Sequence, residues 1–225
     1  MPTMGRDLSV IGRALSAPAR AVMLDLLMDG SSRPASELAG YAGVGGPAAS
    51  EHLALLLDTG LLACRTRGRQ RYYRIADSDV AAALEQVGHL CPAAPARTWQ
   101  RSREARDLAE ARLCYDHLAG RLGVNLAGAL AARGWLDEDL HITAAGREGL
   151  TGYGIDLAAL QQRRRPISRP CPDWTERRHH IAGSLGAALA THWFDHRWIR
   201  HRPNGRGLDL PDTGRDELRL LNAGH

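Results

Sequence analysis

The 225-residue chain contains no lysine, so all 29 of its basic side chains are arginine. An all-arginine composition is what a GC-rich genome produces. Arginine's bidentate grip on phosphate and guanine therefore becomes an argument only where arginines cluster. No apolar run approaches the roughly 18 residues that a membrane span needs. The opening MPTMGRDLSVIGRALSAPAR also lacks the unbroken apolar stretch of a signal peptide. A cytoplasmic protein with no membrane partner is expected. Cysteine is scarce, at Cys64, Cys91, Cys114 and Cys171, and in a reducing compartment these four point to metal or redox chemistry rather than structural disulfides. A nucleophile elbow, a phosphate-binding loop and a paired-carboxylate site are all missing, so an enzyme is not expected.

What is present divides the chain in two. With 44% hydrophobic residues over this length, two small cores can be buried. Residues 8–30, LSVIGRALSAPARAVMLDLLMDG, carry apolar positions at helical spacing and stop at Asp29-Gly30. ASELAGYAG predicts a short helix with Ser36 as its N-cap, and GVGGPAASEHLALLLDTGLL predicts a Gly-rich turn opening onto a helix that Gly60 ends. Two helices joined by a tight glycine turn form a helix-turn-helix, whose second helix enters the major groove. LLACRTRGRQRYYRIAD then reads as two strands joined at Arg67-Gly68, a wing whose arginines can neutralise phosphates. The DNA-contacting candidates are Ser50, Glu51 and His52 on the second helix and Arg65, Arg67, Arg69 and Arg71 on the wing.

As an ordered set, ALSAPARAVMLDLL, SELAGYAGV, ASEHLALLLDTGLL and RGRQRYYRIAD make residues 8–80 similar to the ArsR/SmtB family of winged-helix repressors. The resemblance implies a homodimer that binds a two-fold double-stranded DNA operator and leaves it when a ligand binds. Recognition helices of that family usually start with polar residues, whereas Gly46, Pro47, Ala48 and Ala49 precede Ser50 here, so few base contacts are expected. One familiar metal site of the family uses cysteines in the preceding helix, and RPASELAG has none. The other uses Asp, His and Glu after the wing, where Asp77, Asp79, Glu85 and His89 lack the usual histidine pairing. A sensor is therefore expected elsewhere. The helix over 77–90, with Asp77 or Ser78 as its cap and Val80, Leu84 and Val87 apolar, is expected to pack on its own domain or a dimer mate, and CPAAPA at 91–96 reads as a linker.

The C-terminal half repeats itself. Aligning residue 116 with residue 179 matches His117 with His180, Ala119 with Ala182, Gly120 with Gly183, Leu122 with Leu185, Gly123 with Gly186, Leu126 with Leu189, Ala127 with Ala190 and Trp135 with Trp198. The stripe Leu118, Leu122, Leu126, Leu130 corresponds to Ile181, Leu185, Leu189, Trp193 at a four-residue step. LHITAAGREGL at 140–150 matches LDLPDTGRDEL at 208–218. Each unit reads as a helix, a β-like stretch and a turn with a short helix, and the paired glycines would let two such helices approach closely.

Cys114 and His117, three apart on an expected helix, share a face. His180 repeats His117, while Cys171 sits in the Pro-stiffened loop RPISRPCPDW, where Asp173 and Glu176 form a capping-box pattern for a helix starting near Trp174. In this reading the two histidines are equivalent and their cysteine partners are not. Facing copies would gather Cys114, His117, Cys171 and His180 into a Cys2His2 set suited to zinc or another transition metal, with Asp116, Asp173 and His179 as spare ligands. A redox thiol pair, or a packing module without a ligand, remains open beside it. His192, His196 and His201 lie among aromatics and read as a packed helix end.

The expected architecture is mainly α with short β-hairpin wings. A winged-helix DNA-binding and dimerisation domain (1–90) and a linker (91–96) precede a duplicated sensor domain (97–225, repeats about 114–150 and 171–218). The expected function is a dimeric ligand-responsive repressor sensing a metal or a reactive species. The alternative is a protein-interaction or scaffold module with degenerate DNA binding.

Overall fold

Pro18 divides the first predicted helix in two. It stands at the start of α2 (Pro18–Leu27), where its missing N–H costs nothing, and α1 (Leu8–Leu15) ends just before it. The computed structural model describes residues 7–91, 99–203 and 205–223. The chain separates into two compact units, one through Ala81 and the other from Ala82.

In the first unit, Asp7 caps α1 by accepting from the Ser9 N–H at 2.9 Å. α2 buries Met23, Leu24, Leu26 and Leu27. β1 (Arg33–Pro34) leads into α3 (Ala35–Ala42), which begins after Pro34 without a side-chain cap, so Ser36 is inside the helix and not its N-cap. Gly43 and the Gly45–Gly46 turn connect α3 to α4 (Gly46–Asp58), which buries Ala49, Leu53 and Leu56. β2 (Leu62–Arg67) and β3 (Gln70–Ile75) pair antiparallel from Leu62↔Ile75 to Arg67↔Gln70, and β1 adds to the far side of β3. This is a winged helix-turn-helix: α3, turn and α4, followed by the β2–β3 wing.

α5 (Ser78–Leu90) starts beside Asp77, whose Oδ1 accepts from the Asp79 and Val80 N–H groups at 2.9 Å. The division between the units falls inside this helix, at Ala81/Ala82, and not at the 91–96 stretch. Of that stretch only Cys91, which is exposed, lies within the described residues.

The second unit continues with α6 (Trp99–Glu110) and then writes one pattern twice. First come β4 (Arg112–Cys114), β5 (His117–Ala119), α7 (Gly120–Ala132), a Leu136↔Ile142 bridge and α8 (Ala144–Gly152). After α9 (Leu157–Gln161) come β6 (Arg169–Pro172), β7 (His179–Ala182), α10 (Gly183–Asp195), β8 (Arg200–His201) paired with β9 (Leu208–Asp209), and α11 (Asp212–Ala223). Each repeat thus opens with a hairpin ahead of its helix. The step from strand to helix is made by Gly120 (φ +74°) and Gly183 (φ +85°), a conformation that other residues adopt only under strain.

The repeats pack crosswise: α7 lies on β7, α10 lies on β5, and β5 and β7 adjoin. Both stripes named from the sequence are buried and meet in one core with Leu113, Leu136, Ile199 and Leu208. Leu118 and Ile181 belong to strands, however, and only the later members of each stripe to helices. Neither repeat could bury its apolar face alone. Among the described residues no helix is long and apolar enough to cross a membrane.

Candidate metal centre

The segment read as one helix around Cys114 is a β-hairpin. Tyr115, in the left-handed region at φ 63°, and Asp116 turn the chain, so Cys114 and His117 are cross-strand partners and project from the same face. The second hairpin repeats this pairing. Cys171 on β6 stands opposite His180 on β7, across a longer loop. The two cysteines are therefore equivalent after all. Their different distances from the shared histidines in sequence reflect loop length alone.

Where β5 meets β7, the His117 and His180 rings lie 5.1 Å apart. The ligand atoms of Cys114, His117, Cys171 and His180 all lie within 4.8 Å of one another, and the four residues are 0–5% exposed. The ligand spacing of a tetrahedral zinc site, given bonds of about 2.0–2.3 Å, is roughly 3.3–3.8 Å. A contraction of about 1 Å would bring the donors onto one ion. Among the described residues no other group of three or more such ligands gathers, which leaves Asp77, Asp79, Glu85 and His89 without a metal site.

The carboxylates expected as spare ligands stand behind the histidines. Asp116 Oδ1 lies 3.3 Å from His117 Nδ1. Asp173 Oδ2 lies 3.1 Å from His180 Nδ1, at an angle too oblique for a full hydrogen bond. Both Nε2 atoms are buried and have no hydrogen-bond partner. A carboxylate that holds one ring nitrogen and leaves the other free is the usual support of a metal-ligating histidine. Each carboxylate is in turn gripped by an arginine: Arg165 donates to Asp116 at 2.6 Å, and Arg112 to Asp173 at 3.1 Å.

Asp173 starts no helix. Its Oδ1 accepts from the N–H groups of Thr175 and Glu176 and from the Thr175 hydroxyl, closing a turn within the loop, and its Oδ2 accepts from the Gly120 N–H at 2.7 Å. His179 points outward and is exposed. Arg112 is fully buried, stacks 4.9 Å over Trp174, and donates to Glu85 on α5 at 3.0 Å; Arg206 donates to the other Glu85 oxygen at 3.0 Å. Arg112 and Arg165 were missed from the sequence, and Glu85 was weighed there only as a metal ligand after the wing. The one visible signal was the twice-written Cys-x-Asp of Cys114–Asp116 and Cys171–Asp173.

Hydrogen bonding to Cys171 and burial push the Cys114 thiol up to about 12. Burial opposes charge on His180, but Asp173 and Cys114 outweigh it and raise its pKa to about 9. Burial also works against the Asp173 charge, yet His180, Arg112 and Thr175 hold that carboxyl well below the usual range. A cation bound by these four side chains would have to expel such protons, so its uptake should fall with decreasing pH.

The remaining cysteines and histidines are elsewhere. Cys64 lies on the wing and accepts from Arg71 at 3.3 Å. His196 stacks on Trp198 and His201 on Phe194, while Tyr153 and His196 pack around His192.

On the winged helix, Ser50 donates to the Gly46 carbonyl of its own helix at 3.0 Å, and His52 accepts from Arg20 at 3.2 Å. Glu51 is exposed, as are Arg65, Arg67, Arg69 and Arg71. Arg67 lies over Tyr72 and Arg71 over Tyr73.

No family model matches the chain. It is 40% identical over 215 residues to YdfF of Bacillus subtilis, an uncharacterized HTH-type transcriptional regulator, covering 94% of this chain and 95% of that one. It is 39% identical over 80 residues to the HTH-type transcriptional regulator CmtR of Mycobacterium tuberculosis, covering 36% of this chain and 67% of CmtR. A probable mercury resistance operon repressor of Streptomyces lividans is 35% identical over 69 residues, 31% of this chain and 54% of that protein.

Proposed function

Because the chain belongs to the HTH-type transcriptional regulators, with an ArsR-type winged helix-turn-helix at its N-terminal end, we propose that it is a dimeric, metal-responsive repressor whose duplicated C-terminal unit is the sensor. The observation that carries this reading is the buried convergence of Cys114, His117, Cys171 and His180. A ligand that binds one arrangement of the protein more tightly than another shifts its DNA affinity by that difference.

The charges around the cluster support a dication. Asp116, Asp173 and Glu85 are matched by Arg165, Arg112 and Arg206, so the surrounding shell is neutral. Two thiolates in a buried site then call for a charge of two, and the donor set suits a tetrahedral, thiophilic dication of the zinc class. The relative named for mercury resistance is in keeping with such a cation. Purified protein should carry or take up about one Zn²⁺ or Cd²⁺ per chain, and adding the metal should change its affinity for its operator. Protein that takes up no dication ends this reading.

The proposed DNA contacts are dominated by phosphate. Ser50 and His52 are engaged by the protein itself and the helix opens on glycine, proline and alanine, whereas the wing arginines are free of salt bridges among the described residues and exposed. Replacing Arg67 and Arg69 with alanine should flatten the log–log salt dependence of DNA binding by about 0.9 per lost phosphate contact. An unchanged slope would remove the wing from the interface. The same bare recognition helix favours a second reading, an interaction module with degenerate DNA binding, for which all duplexes would bind equally well.

A further inference from the structure

The metal centre resembles a symmetric object until its outer shell is followed outward. On one side Asp116 is held by Arg165, which is partly exposed and ends on the Gly183 carbonyl. On the other side Asp173 is held by Arg112, which is fully buried and continues to Glu85. Of the two carboxylate–arginine pairs, among the described residues only the second reaches α5, the helix that begins in the winged-helix unit and runs on into the second one.

Glu85 is the one buried residue of α5 beyond Ala81, and Val87 and Leu90 on the same helix are exposed. The C-terminal half of α5 is thus held by a carboxylate between two guanidinium groups instead of by apolar packing. Buried ion pairs contribute little net stability compared with apolar side chains of the same volume, and their best-attested use is to select one conformation over another.

We propose that Glu85 and Arg112 are the positioning relay through which a metal at the Cys114–His117–Cys171–His180 centre sets the order of α5. The inference rests on the metal reading above. Drawing four donors from within 4.8 Å of one another onto a single ion moves His180. Asp173 stands 3.1 Å from that ring and shares its Oδ2 with Arg112 Nη2, which also binds Glu85 Oε1. Displacement on the His180 side therefore has a direct route to α5. The Asp116–Arg165 pair makes no such link to α5 among the described residues, although the His117 hairpin meets the relay through its backbone, with Arg112 at the start of β4 and the Gly120 N–H on Asp173 Oδ2.

The test is amide hydrogen exchange of residues 82–90 in the full chain, with and without one equivalent of Cd²⁺, alongside Cd²⁺ uptake read from thiolate-to-metal absorbance. In the unaltered protein Cd²⁺ should change exchange in this segment by roughly tenfold. Glu85→Gln, which leaves one arginine charge of the shell unmatched, should bind Cd²⁺ more weakly but at saturation show the same absorbance and lose that response. Asp116→Asn, on the other branch, should weaken Cd²⁺ binding by about 10–100-fold and keep the response once saturated. Should Glu85→Gln fail to fold, Glu85→Asp retains the charge facing both arginines but cannot reach both, and its response should be reduced. A full response in either Glu85 variant overturns the relay. Cd²⁺ uptake without any exchange response in the unaltered protein overturns the relay and leaves the metal site standing, whereas absence of uptake overturns both.

Discussion

Replacing Cys171 with serine should weaken metal binding at the proposed site on the order of 100-fold while leaving the apo fold intact. Serine fills nearly the same volume in the 3% exposed site, so the hairpin and the core beneath it are undisturbed. What is lost is one thiolate of four donors. Structural Zn²⁺ sites contribute about 10–16 kcal/mol, so an even share for one ligand is roughly 3 kcal/mol, on the order of 100-fold in affinity. The measurement is competition against a chelator of known affinity, together with melting curves for apo and metal-loaded protein. At a metal concentration of about 1,000 times Kd the unaltered protein gains about 4 kcal/mol, a gain that should fall to about 1.4 kcal/mol in Cys171→Ser at the same concentration. Cys114→Ser should match it, because Cys114 and Cys171 hold the same position in their hairpins. Undiminished affinity in both variants would exclude the site.

A second large effect is expected from Gly186→Ala. In an ordinary helix interior, alanine is favoured over glycine by about 1 kcal/mol. Here the added Cβ would stand 2.2 Å from the Ile181 carbonyl oxygen and 3.0 Å from the His117 Cβ, so α10 would have to lift off both its own hairpin and the opposite one. Gly123→Ala meets the mirror situation, 2.3 Å from the Leu118 oxygen and 3.3 Å from the His180 Cβ. Overpacking of this kind costs about 3 kcal/mol, or about 10 °C in Tm for a unit of this size. Because the added Cβ also presses on the Cβ of His117 or His180, the histidines of the proposed metal site, metal uptake should fall as well. Gly128→Ala on α7 is the control, since its Cβ would meet only Arg178 Nη2 at 3.9 Å, and it should be neutral or stabilising. If Gly186→Ala melted like Gly128→Ala, the crosswise seating of the helices would be wrong.

These glycines show what kind of information the sequence carried. Their pairing was visible in the alignment of the repeats, but the purpose read into it was close approach of two helices. The structure uses them to seat each helix on strands. The misreading has a physical source. β4 and β5 are three residues long and buried on both faces, so they show no alternation, and Leu118 happens to continue the four-residue step of the helix that follows. A strand that short has no period of its own to read. The Ser16–Pro18 break was also passed over, because apolar spacing continued across it.

The order of helices, glycine turn and basic hairpin determined the winged helix, since capping, turn chemistry and periodicity act over a few neighbouring residues and are written locally. Internal repetition likewise paired His117 with His180, and the supposition that the copies face each other added Cys114 and Cys171. Only the tertiary structure decided that the cysteines are as equivalent as the histidines, that Asp116 and Asp173 stand behind the rings instead of beside them, and that Glu85 is joined to one of the two branches. Those facts depend on hairpin loop length and on contacts between segments that are far apart in the chain, which spacing along the sequence does not encode.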